Sequence, residues 1–164
     1  MNSMNLIPLT GIPKVKPGDE ISTFIIKSIK RKKIKISKND LIVIAHKIVS
    51  ISENRFVELN KVKVGKRAIS LSKKIDKSKE FCQLILDNSK KIIKIKKGVI
   101  ITENRLGIIT ANAGIDQSNI NKKDFCLLLP LNPNATARKI SQAIYQETGK
   151  KLGIIISDSV GRPW

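Results

Sequence analysis

Histidine is nearly absent: the 164-residue chain has one, His46, and only two cysteines, Cys82 and Cys126. A zinc site built from sulfur and imidazole is thereby excluded in practice. The two cysteines stand far apart with no metal-type spacing, so they read as buried reduced thiols. Any metal would have to be held by oxygen, which points to a hard ion such as magnesium or manganese. Aromatic residues are scarce at 4%, and no apolar run approaches the roughly 20 residues that span a bilayer. The start, MNSMNLIPLT, lacks a basic segment followed by a long apolar stretch. A cytoplasmic location, with no membrane partner, is the expectation.

Acidic residues are also few, 13 against 32 Lys+Arg, giving a net charge of +19. Such an excess invites nucleic acid, because cations displace phosphate counterions. Yet the excess is lysine, 26 against 6 arginines, alongside 29 isoleucines. That profile also follows from A/T-rich codon usage. Base readers pair arginine with stacking aromatics, and no such interleaving is present. In KRKKIKISK (30–38) and KKIIKIKK (90–97) lysine alternates with isoleucine, as on a solvated strand face. A basic nucleic-acid-binding module therefore ranks last, and nucleic acid is not an expected partner.

What is present is a 41% hydrophobic chain, enough for a packed core. A short strand is expected over 5–10, then a loop over 12–19 carrying two prolines and a Pro-Gly turn. Asp19 is placed to cap a helix over 20–30 whose Ile21, Phe24, Ile25 and Ile29 share one face. The run DLIVIAHKIVS (40–50) reads as a buried strand. Helices are expected over 65–75 and 78–89, the second capped by Ser78 with Phe81, Leu84, Ile85 and Asn88 in helical register. Strands over 91–96, 98–103 and 106–111 suggest hairpins, and 125–130 another strand. A helix over 132–151 is capped by Asn134 or Thr136, packs Ile140, Ile144 and Ala143, and ends at Gly149. A buried strand over 153–159 delivers Asp158. The echo between ISENR (51–55) and ITENR (101–105) reads as two similar strand-turn corners. The fold class is α+β, with mixed and antiparallel sheets and packed helices.

Two acidic loops stand out among so few carboxylates. In NAGIDQSN (112–119), Gly114 permits a tight path, Asp116 follows an apolar strand, and Asn119 lies three residues on. In IIISDSVGRPW (154–164), Asp158 and Ser159 follow a strand, and Arg162 offers a planar fork for phosphate or carboxylate. A carboxylate beside a hydroxyl at a strand end suits magnesium next to phosphates. Spacing alone favours the plainer reading, Asx turns closing strands. The loop IPKVKPG is not a GxxxxGK[ST] phosphate loop, and no Ser–His–Asp or Cys–His order supports a nucleophile.

These same residues resemble the coenzyme F-420:L-glutamate ligase family. The resemblance runs through IPLTGIPKVKPGDE, DLIVIAHKIVS, TANAGIDQSN, LLLPLNPNATARKI and GIIISDSVGRPW, in order and over nearly the whole chain. It implies a GTP-dependent ligase that joins L-glutamate to a deazaflavin precursor through an acyl phosphate, and an α+β fold that forms a homodimer. It places a nucleotide loop on Ile12, Pro13, Lys14 and Val15. Further nucleotide contacts fall on His46, Lys47 and Asn119. Asp116 and Asp158 correspond to carboxylates at a first divalent metal, magnesium or manganese, and Ser159 to a hydroxyl at a second; potassium can assist. No catalytic side chain is assigned.

Two departures accompany the resemblance. The family's pattern VSKAEG reads Val49-Ser50-Ile51-Ser52-Glu53-Asn54 here, so Ile51 stands where a nucleotide-contacting lysine is usual. Family members also continue well past GRPW. The expectation is therefore that residues 1–164 form the N-terminal portion of a ligase domain, C-terminally incomplete, with a separate C-terminal polypeptide as one source of the rest. A truncated, non-catalytic relative that binds nucleotide or a partner is the alternative.

Overall fold

The computed structural model describes residues 4–117 and 124–158. Among the described residues, seven strands and five α-helices form an α+β structure with both parallel and antiparallel pairing. The chain divides into two compact units, Met1–Arg55 with Pro130–Trp164, and Phe56–Leu129.

The first unit is built on a parallel pair, β1 (Leu41–Ala45) and β7 (Gly153–Ser157), in register from Leu41↔Gly153 to Ala45↔Ser157. Helices α1 (Ile21–Arg31), α2 (His46–Ser52) and α5 (Pro133–Thr148) complete it. Ile21, Ile25 and Ile29 recur every fourth residue, so one face of α1 is apolar. They bury with Ile44, Val49, Ile140, Ile144 and Leu152. Lys30 and Arg31 sit in the last turn, where the helix dipole favours cations. Gly149 closes α5 in the left-handed conformation at φ 66°, as expected from the sequence.

Several expectations are corrected here. Residues 5–10 form no strand: the Thr10 carbonyl accepts from Ser28 Oγ and Arg31 of α1, and the Pro8 carbonyl from Lys32 Nζ just past that helix. Asp19 does not cap α1; its carboxylate accepts from the Lys16 amide at 2.7 Å, closing the Pro-Gly turn, and Glu20 precedes the helix without a side-chain cap. The run 40–50 is not one strand, since β1 stops at Ala45 and His46 opens α2. Asn132, not Asn134 or Thr136, caps α5 by accepting from the Ala135 amide. Neither β1 nor β7 is fully buried: Leu41 and Val43 are each 63% exposed, because the pair packs helices on one face while alternate residues point the other way.

In the second unit α3 (Lys66–Ile75) and α4 (Lys79–Asp87) pack beside the meander β3 (Ser89–Lys96), β4 (Val99–Asn104) and β5 (Ile109–Ala111). A short antiparallel pair joins β2 (Phe56–Glu58) and β6 (Phe125–Leu127). Ser78 caps α4, its hydroxyl accepting from the Phe81 amide at 3.1 Å. Asn88, in register with Phe81, Leu84 and Ile85, turns back and donates its side-chain amide to the Leu84 carbonyl. The core gathers Leu71, Ile75, Phe81, Ile85, Ile100, Ala113, Cys126 and Leu128. The lysines of β3 are exposed, but so are Ile93 and Ile95, and only Ile92 is half-buried, so lysine and isoleucine do not divide cleanly between two faces. ISENR and ITENR are unlike: the first closes α2, the second ends β4.

Candidate functional site

In the first unit the register of the parallel pair does the positioning. Ala45 faces Ser157 across β1 and β7, so the next residue of each strand, His46 and Asp158, emerges at the same carboxyl edge. Open parallel sheets place ligands at that edge. His46 Nε2 lies 3.1 Å from Asp158 Oδ1. The imidazole is largely buried, with 12% of its side chain exposed, while the carboxylate is 42% exposed. His46 Nδ1 is fully buried and has no hydrogen-bond partner among the described residues.

The loop 12–15 is irregular; Val15 is buried and Pro13 and Lys14 are exposed. It is held at both sides: Gly18 donates its amide to the Ser52 carbonyl at the end of α2, and Thr10 is bound by α1. Lys47 is half-buried in the first turn of α2 and is engaged by a neighbour. Ile51, also half-buried, occupies the same short helix. Glu53, unremarked in the sequence, accepts from the Leu131 amide at 2.9 Å and the Thr136 hydroxyl at 2.6 Å. It thus pins the start of α5 to the end of α2. No sequence signal pairs residues so far apart.

In the second unit, Asn112, Ala113 and Gly114 are three consecutive left-handed residues, at φ 50°, 56° and 72°. That conformation costs about 1–2 kcal/mol per non-glycine residue. It is held by burial of Ala113 and by the Asn112 Oδ1 accepting from the Ile100 amide at 3.1 Å. The turn delivers Asp116, half-buried, whose amide and carbonyl exchange bonds with Leu127 at 3.0 and 2.8 Å. The plain Asx-turn reading is incomplete at this loop, since the strain sits in the NAG turn and not at Asp116. Asn119 and Ser159, with Arg162, lie outside the described residues.

The donor chemistry fits a hard divalent ion in kind. Asp158 is a half-exposed carboxylate with one oxygen 3.1 Å from the His46 imidazole. Among the described residues no three His, Cys, Asp or Glu side chains gather into one cluster. Both thiols are free and buried, as expected.

Cys126 adjoins this loop. Burial pushes its thiol up from 9.0 to about 11; a hydrogen bond with Gln117 opposes the rise and the Asp116 charge adds to it. The native thiol therefore keeps its proton to higher pH than the unfolded one. The stability it contributes is intact below pH 9 and is lost as pH climbs through about 11. Urea midpoints should fall over that window, and fall less in Cys126→Ala. Equal slopes in the two proteins would contradict this.

Comparison with known proteins agrees on a single family. The family described as F420-0:Gamma-glutamyl ligase matches residues 11–164. The coenzyme F420:L-glutamate ligase of Methanocaldococcus jannaschii is 45% identical over 129 residues, 79% of this chain and 51% of the relative. The protein of that name from Methanococcus maripaludis strain C6 is 42% identical over 132 residues, 80% of this chain and 52% of the relative. That of Methanothermobacter thermautotrophicus is 35% identical over 161 residues, 98% of this chain and 64% of the relative. The chain thus spans about half the length of the first two relatives and under two thirds of the third.

Proposed function

The chain belongs to the F420-0:gamma-glutamyl ligase family, and from that premise we propose that it serves coenzyme F-420 biosynthesis as a GTP-dependent glutamate ligase. In this reading the carboxylate of the deazaflavin precursor takes the γ-phosphoryl group of GTP, giving an acyl phosphate and GDP. The amine of L-glutamate then attacks the acyl carbon, loses a proton and expels inorganic phosphate, leaving an amide. The observation that carries the reading is Asp158, a half-exposed carboxylate at the edge of a parallel pair with its Oδ1 3.1 Å from His46.

The reading assigns Asp158 and Ser159, and Asp116, as oxygen ligands. A magnesium or manganese ion so held would offset charge on phosphate oxygens as the phosphoryl group moves. The loop Ile12, Pro13, Lys14 and Val15, with Lys47 and Asn119, is the nucleotide-binding surface. Lysines nearby favour an anionic nucleotide. Two copies of the chain acting as a homodimer, and potassium as an accessory ion, belong to the same reading. No helix among the described residues is long and apolar enough to cross a membrane.

A second reading, a relative that binds nucleotide or a partner without catalysis, is favoured by Ile51, which supplies no charge to a phosphate. Calorimetric titration of GTP with and without manganese separates nucleotide binding from its absence. The expected outcome is saturable, manganese-dependent binding. No heat and no saturation with manganese present would overturn the proposal.

A further inference from the structure

We propose that a cleft formed by α3, α4 and β3 binds a small amphipathic anion, a carboxylate or phosphate head on a short hydrocarbon body. The cleft lies within the second unit and uses no residue assigned above to nucleotide or metal. Its volume is about 180 Å³, and Arg67, Ser70, Leu71, Lys74, Leu86 and Ile92 line it. Cations, a hydroxyl and aliphatic side chains are all present in that lining, and carboxylates are not.

Helix α3 supplies the polar edge. Arg67, Ser70 and Lys74 stand three and four residues apart, so the helix brings them to one face. Arg67 and Lys74 are two turns apart, about 10 Å along the axis. Two long side chains can close that gap onto one anion. Among the described residues, none of the three side chains has a hydrogen-bond or ion-pair partner. Ser72 of the same helix, by contrast, donates to the Ile69 carbonyl, and Lys30, Lys61 and Lys139 each pair with a glutamate.

The floor is aliphatic and comes from three elements. Leu71 is buried in the core, and half-buried Leu86 and Ile92 pack against it. A bare ion would leave that floor wet, and a neutral hydrocarbon would leave the donors unused. A molecule with both parts uses the whole lining. The volume is below the roughly 300–1,000 Å³ of drug-sized sites, so the hydrocarbon must be short. Each methylene buried there should tighten binding about fourfold. Arg67 and Lys74 are exposed, so each charge contact adds only about two- to fivefold.

The test follows backbone amide shifts of the isotope-labelled full chain by NMR. Hexanoate and hexyl phosphate are the probes; acetate, inorganic phosphate and hexanol are the comparisons. Saturable shifts at Ser70, Leu71, Leu86 and Ile92 are expected with the probes, and binding about tenfold weaker or more with the comparisons. The tighter of the two probes distinguishes a carboxylate from a phosphate ester as the natural head. Arg67→Gln combined with Lys74→Gln should weaken the tighter probe roughly tenfold. Lys73→Gln, an exposed lysine of α3 outside the lining, should leave it within about twofold. Circular dichroism checks that each variant folds. Equal weakening by Lys73→Gln would mean diffuse charge attraction and overturn the inference. So would acetate binding as tightly as hexanoate, shifts centred away from the lining, or no saturable shift with either probe.

Discussion

Asp158→Ala is expected to lower manganese-dependent GTP affinity by about 100-fold or more. The basis is comparative: a group one step behind a metal ligand is worth roughly 10- to 100-fold, so the ligand itself should cost at least the upper figure. The substitution should not act through folding, because the carboxylate is 42% exposed and follows the last residue of β7. The loss should therefore appear with an unchanged melting temperature. It should also vanish in the absence of manganese, where wild type and variant bind GTP equally weakly. A variant that keeps wild-type affinity would remove Asp158 from the site.

The second large effect concerns stability. Gly114→Ala should destabilise the protein by about 2–4 kcal/mol. Gly114 has φ +72°, where a side chain costs about 1–2 kcal/mol. A Cβ there would also stand 2.7 Å from Leu129 Cδ1 and 2.9 Å from Cγ, so Leu129 must move. Gly98 offers an internal control: its φ is +83°, with nothing within 4 Å of an added Cβ. Gly98→Ala should thus cost the backbone share alone, and the difference between the two variants reads the overlap with Leu129. Urea denaturation followed by circular dichroism measures both. Equal losses would show that Leu129 yields without cost. Because this turn delivers Asp116, the same substitution should weaken nucleotide binding before it unfolds the chain.

What could be read from the sequence was local. Ser78 before α4 and Gly149 after α5 are capping signals satisfied within four residues, and both act as expected. The alternation of lysine and isoleucine over 90–97 fell on β3, which pairs with β4, but the same alternation over 30–38 gave no strand: Arg31 ends α1 and turn and coil follow. What failed was decided by distant partners. The apolar residues of β1 run on into Ile48 and Val49, so the apolar pattern marked no break at Ala45; Val49 instead buries in one core with residues of α1 and α5. The strand expected over 5–10 has no paired neighbour among the described residues; side chains at and just past the end of α1 take the Thr10 and Pro8 carbonyls instead.

The same division holds at the candidate site. Asp116 and Asp158 were legible as rare carboxylates after apolar strands. The strain at Asn112 and Ala113 was half-legible, since Gly114 announced a tight turn but not that two non-glycine residues share it. The contact between His46 and Asp158 was not legible, because it follows from the register of two strands at opposite ends of the chain. Glu53 was missed for the same reason.

The proposed nucleotide and metal chemistry for joining glutamate to a deazaflavin is tested most directly at its product. The direct measurement follows labelled glutamate into the deazaflavin precursor by mass spectrometry, with GTP and manganese, while GDP release is recorded. It is run with the chain alone and with the C-terminal half of the Methanocaldococcus jannaschii relative supplied. The expected result is a glutamylated product and one GDP per amide formed, abolished by Asp158→Ala. Intact GTP binding with no glutamylated product in either mixture would contradict it.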